Sequence, residues 1–157
     1  MGALCDLRWR RVPNWLTFPA IVAGLIAGVV EHAWVASLEG LALAFAVYGA
    51  LYAIRAMGAG DVKLMMAIGA FAGPMNWLKI FVLTAILGGV AALIAILARG
   101  RVRQTASNLA TILASLGTAR APYEKNPALD VRSDEALRLP HAAVIGIATL
   151  LFLLVYL

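Results

Sequence analysis

A chain of 157 residues that is 63% hydrophobic and only 13% charged is not an ordinary soluble domain, in which apolar residues make up about 45–50% and charged ones about 25%. Its mean hydropathy of +0.90 predicts an integral membrane protein of several transmembrane helices and excludes a separate soluble domain. The formal charge of +5 comes from bases set between apolar runs, which argues against a nucleic-acid face, and the lone Cys5 excludes an internal disulfide or a cysteine-rich zinc site.

Taken in order, residues 1–5 are too short for a signal peptide or a spanning helix. Residues 6–14 form a cationic loop with Arg8, Arg10 and Arg11 as its bases and Asp6 as its single acid. Pro13 disfavours helix at Val12 and Asn14 is a good N-cap, so a first span is expected from about Trp15 to Val30. Glu31, His32 and Trp34 form the next boundary, with Trp suited to the interface. A second span is expected over residues 37–56, closed by Arg55, with Glu39 near its outer end.

The stretch Met57-Gly58-Ala59-Gly60-Asp61-Val62-Lys63-Leu64 organises the rest. Two glycines around one small residue allow a sharp turn, and Asp61 is placed to cap the helix that follows. An ionisable group at the mouth of an apolar segment is costly, which makes it a functional-site candidate. The third span begins here and ends at Gly73-Pro74, short for a full crossing. A fourth is expected from about Trp77 to Ala98, with Gly88-Gly89 as the point of close helix packing.

Residues 99–138 form a polar loop in which Leu109, Ile112, Leu113 and Leu116 recur at helical spacing, predicting an amphipathic interfacial helix. Residues 121–127 break it, and Glu124, Asp130, Asp134 and Glu135 are interleaved with bases as solvated charges. Leu139-Pro140-His141 opens a last span that runs to Leu157. The expected fold is all-α: one membrane-embedded domain over residues 1–157, a polytopic bundle of about five spanning segments plus the interfacial helix. With the loop of residues 6–14 placed in the cytoplasm, twelve of the thirteen Lys and Arg residues fall on that side and only Lys79 does not. Basic residues decide orientation, and this layout brings Asp6 and Asp61 to the same face.

These residues carry a resemblance. Asp6 followed by Arg10-Arg11-Val12-Pro13-Asn14-Trp15-Leu16-Thr17 resembles the first motif of the type IV prepilin peptidases. Gly58-Ala59-Gly60-Asp61-Val62-Lys63-Leu64 resembles their second, the G-x-G-D signature, and Leu139-Pro140-His141-Ala142 with its apolar run is similar to their last helix. The chain lacks the cysteine-rich cytoplasmic insertion of the bifunctional members, so it is similar to the small, peptidase-only type associated with tight-adherence (Flp-type) pili. The resemblance implies an intramembrane aspartic endopeptidase of the bacterial inner membrane that removes the basic leader of a prepilin at the cytoplasmic face. It implies Asp6 and Asp61 as catalytic residues, with Gly58, Gly60, Lys63, Pro13 and Asn14 supporting them. The implied partners are the prepilin, membrane lipids and pilus or secretion assembly proteins, with no cofactor, metal or nucleic acid. The family has a spanning helix immediately before the first aspartate, whereas five residues stand there; the expectation is a start assigned too late.

The chemistry reaches the same place. Hydrolysis without a metal or covalent nucleophile needs one carboxylate to activate water while another donates a proton, and two close carboxyls share one proton. His32 and His141 fall on opposite membrane sides, so no Ser/His/Asp set is available. Lys63, two residues from Asp61, points elsewhere on a helix and is expected to snorkel, while Arg8, Arg10 and Arg11 serve topology and lipid contact. Two rivals remain: a non-catalytic membrane assembly protein of a pilus or secretion system, and a small proton-coupled transporter relaying through Asp61 and Glu39. Glu39 and Asp61 near opposite ends of their spans argue against transport.

Overall fold

The computed structural model describes residues 14–100, 105, 107 and 141–156. Among them every regular element is an α-helix: α1 (Asn14–Val30), α2 (Trp34–Ala53), α3 (Ala59–Ala98) and α4 (His141–Tyr156). Asp6, Arg8, Arg10, Arg11, Pro13, the expected interfacial helix around Leu109 and the acids at 124, 130, 134 and 135 lie outside the described residues.

The third and fourth expected spans are joined as the 40-residue α3, but the helix is broken at Gly73, whose φ of 70° and ψ of 173° are not helical. Glycine tolerates that backbone, and the following Pro74 has no N–H to continue the ladder. The break reverses the chain. The buried indole of Trp77 donates from Nε1 to the Met65 carbonyl at 3.2 Å, although twelve residues of unbroken helix would hold the two about 18 Å apart. Residues 59–72 and 74–98 are therefore the arms of an antiparallel hairpin. Trp77 stacks on Phe81 at 5.4 Å, and Tyr48 of α2 meets both rings edge-on, 6.3 and 6.0 Å away. Edge-to-face and offset pairs of this kind are the favourable aromatic geometries.

The expected count of about five spans is corrected. Among the described residues two helices, α2 and α3, are long and apolar enough to cross a membrane. Helix α1 has 17 residues and α4 has 16, lengths of about 24–26 Å against a hydrocarbon core of about 30 Å. What shortens α1 is the turn at Glu31 and His32, which closes it.

Glycine sets the packing, but at other positions than the sequence suggested. A Cβ on Gly89 would meet nothing within 4 Å, and one on Gly88 only ordinary contacts with His141 and Val144. The close approach is between α2 and the first arm of α3, where a Cβ on Gly40 would strike the Gly69 carbonyl oxygen and one on Gly69 the Gly40 carbonyl oxygen. Gly24 and Gly28 of α1 do the same work, against Ala70 and Ser37 respectively. These contacts also give the helix directions. Gly40 and Tyr48 of α2 lie level with Gly69 and with Val62 and Met65, so α2 runs antiparallel to residues 59–72. Asn14 and Gly24 of α1 lie level with Lys63 and Ala70, so α1 runs parallel to them. Ala44, Tyr48, Val62, Met65, Trp77 and Ile145 form the buried core cluster.

Two helices end in left-handed residues that are not glycine. His32 (φ 56°) follows α1 and Arg55 (φ 57°) follows α2. At the second, the Arg55 N–H donates to the Tyr52 carbonyl at 3.0 Å and the Ala56 N–H to the Leu51 carbonyl at 2.9 Å. That is the Schellman pairing, which satisfies the last carbonyls of a helix and usually places glycine at this position.

Candidate functional site

The Asp61 end of the bundle is built from three chain segments. Gly58, extended at φ −80° and ψ 150°, is the N-cap of α3, and Asp61 is the third residue inside the helix. Asp61 was expected to be the cap; it sits instead in the first turn, where a carboxylate is favoured by the helix macrodipole. Its Oδ2 lies 3.7 Å from where a Cβ on Gly58 would stand. The carboxylate thus folds back over the bare glycine backbone. The first turn is tight, with the Asp61 N–H donating to the Gly58 carbonyl at 3.2 Å. Gly60 is half-buried on the turn between them.

Tyr48 approaches from α2. It is buried among Val62, Met65 and Trp77, within electrostatic reach of Asp61. Arg55 holds its left-handed turn between α2 and the glycine turn. Tyr48 is not among the residues the sequence motifs single out. The available signal was its four-residue spacing from Ala44 and Gly40, which puts all three on one α2 face.

Helix α1 supplies the third wall. The Lys63 ammonium donates to Asn14 Oδ1 at 2.7 Å and lies 5.4 Å from the centroid of the Phe18 ring. Lys63 was expected to snorkel to lipid and Asn14 to cap its own helix; the two side chains bind each other instead. The physical reason is the glycine contact between Gly24 and Ala70, which brings the start of α1 within reach of Lys63. Asp61, Lys63, Asn14 and Tyr48 are thereby gathered at one end, whereas Asp6 and Pro13 lie outside the described residues. The opposite end holds His32, the Gly73 turn and Lys79, whose ammonium sits 4.8 Å from the Tyr156 ring. His141 packs beside Gly88, which keeps the two histidines at different ends. Among the described residues no three His, Cys, Asp or Glu side chains converge.

The profile of the type IV leader peptidase family matches residues 1–93, and the chain belongs to that family. It is 30% identical over 122 residues to a prepilin leader peptidase/N-methyltransferase of Xanthomonas campestris pv. campestris. That match takes in 71% of this chain but only 42% of the relative, so the chain spans less than half the length of the curated relative it matches. No solved structure matches the chain.

Proposed function

We propose that this chain is an aspartic endopeptidase that removes the leader peptide from a prepilin, with Asp61 as one of its two working carboxyls. The observation that carries the reading is the setting of Asp61: a carboxylate in the first turn of a membrane helix, over a bare glycine, in a member of the type IV leader peptidase family. Asp6 is the second carboxyl. One carboxylate takes the proton of a water as it attacks the scissile carbonyl, and the other, protonated, gives its proton to the departing amine. Two acids sharing one proton begin each cycle in the required mixed state. The glycine turn of Gly58 and Gly60 presents Asp61, and Pro13, Asn14 and Lys63 support the partner segment.

The whole chain acts as one domain, with residues 99–138 a loop within it. In the bacterial inner membrane Arg55, Arg99 and Asp61 face the cytoplasm and the Gly73 turn lies outside; the helix order, which keeps the three residues at the end away from Gly73, and the excess of basic residues there support this reading. The lack of a cysteine-rich cytoplasmic insertion between its helices, with Cys5 the lone cysteine of the sequence, supports the small peptidase type associated with tight-adherence pili, whose substrate is a Flp-like prepilin. The relative's second activity, methyl transfer, is not assigned to this chain.

Two measurements test this. Co-expression with a Flp-type prepilin should yield pilin whose mass is lower by the leader alone, without an added methyl group; full-length pilin beside inserted protein would sink the assignment. For orientation, Arg99→Cys in a Cys5→Ser background should react with a membrane-impermeant thiol reagent only after the cytoplasmic side is opened. Met75→Cys, 70% exposed on the opposite turn, should react in intact cells. The reverse pattern would invert the topology.

A further inference from the structure

Lys63 stands out among the polar groups of the bundle. It is on the same arm as Asp61 but two residues on, so it points to a different side of the helix. Its ammonium is taken up by two side chains of α1, Asn14 and Phe18. Those two are four residues apart, on one face of one helix. The ammonium therefore has an oxygen acceptor at 2.7 Å and a ring face at 5.4 Å, both presented by a single helix. A charge-assisted hydrogen bond and a cation–π contact are directional, and together they set both the height and the rotation of one helix against the other. Below this contact, α1 meets the α3 arm through Gly24 and Ala70. That glycine contact, against Ala70 and the edge of the Phe71 ring, brings the helices close but offers no polar group to fix their register.

We infer that Lys63 is a positioning residue that locks the start of α1 to the start of α3. In doing so it sets the distance between the chain entering α1 and Asp61. Asp6 lies eight residues before Asn14. The inference rests on the peptidase reading, because it gives that lock a catalytic purpose. Holding two reacting groups in register is worth orders of magnitude in rate, and a displacement of about 1 Å costs up to roughly a hundredfold. In this role Lys63 does not act on the reacting atoms. It acts through Asn14.

The test uses the full chain in lipid vesicles and a synthetic prepilin leader peptide, with Asp61→Asn as the inactive control. Lys63→Met keeps the apolar stem and removes the ammonium, and Asn14→Ala removes the acceptor at an exposed position. Each should lower kcat about tenfold while KM stays within twofold. The double variant should be no slower than Lys63→Met alone, and Lys63→Arg should recover most of the rate. A rise in KM with kcat intact, or losses that multiply in the double variant, would overturn the inference. A second readout does not depend on activity. Spin labels on Trp15→Cys, an exposed position at the start of α1, and on Met57→Cys, in a Cys5→Ser background, report the distance between the two segments. Its distribution should be at least twice as wide in Lys63→Met as in the Lys63 chain, and narrow again in Lys63→Arg. An unchanged width would refute the lock, while a narrow distribution in a chain that cleaves nothing would leave the lock standing and bring down the peptidase reading.

Discussion

Asp61→Asn is expected to leave the chain inserted in the membrane and to cut leader removal by about 10²–10⁴-fold, the range a positioned acid–base group supplies. The substitution isolates chemistry from structure. Asparagine has the size of aspartate and still accepts hydrogen bonds at the first turn of α3, but it cannot pass a proton. Because Gly58 is the N-cap, the substitution removes no side-chain cap, and the favourable charge lost near the helix start is worth about 0.3–1 kcal/mol at most exposed sites. Asp6→Asn should behave alike, since a lone carboxyl cannot be ionised to take the proton of water and protonated to supply the amine at the same time. The amide changes at Glu124, Asp130, Asp134 and Glu135 should leave the rate unchanged. Prepilin processing by Asp61→Asn at the rate of the parent chain would return Asp61 to the status of a helix-end charge.

The largest effect on stability is expected from one methyl group at Gly40. Gly40→Ala drives its Cβ into the Gly69 carbonyl and to 2.9 Å from the Gly73 Cα. These are backbone atoms, so no side chain can swing aside, and the cost belongs at the upper end of the overpacking range, about 3 kcal/mol. Gly89→Ala supplies the contrast. Nothing lies within 4 Å of its Cβ, and alanine improves on glycine inside a helix by up to about 1 kcal/mol. Thermal unfolding in a mild detergent should show Gly40→Ala melting well below the parent chain and Gly89→Ala at or above it. Equal melting temperatures for the two would mean that the α2–α3 approach is looser than described.

The contrast also shows what was legible in the sequence. Helical class followed from composition, and the chain reversal followed from Gly73-Pro74, because left-handed backbone and a missing donor are local properties. The glycine turn before Asp61 was readable for the same reason. Close packing was misplaced: adjacent Gly88-Gly89 drew attention, although two neighbouring residues face different sides of a helix. The glycines that meet another helix are separated in sequence: Gly40 against Gly69, Gly24 against Ala70 and Gly28 against Ser37. The number of spans was overestimated because every apolar run was counted as a crossing, although α1 and α4, with 17 and 16 residues, fall short of a hydrocarbon core of about 30 Å. Lys63 was assigned to lipid because a sequence does not tell which helix lies alongside. Its partner is 49 positions away, and nothing local announces Asn14 or Phe18. Tyr48 was missed for a similar reason, since its proximity to Asp61 arises only when α2 packs on α3.

The glycine contact between α2 and α3 has a mechanical consequence. Where two backbones touch, there is no layer of side chains to compress, bend or change rotamer, so the two helices move as one stiff beam. Helix α1 is fastened differently at its start, where the Lys63 side chain rather than backbone bridges it to α3. Two neighbours of one helix are thus held by unlike means: α2 by backbone against backbone, and the start of α1 by a single side chain whose removal frees that end alone.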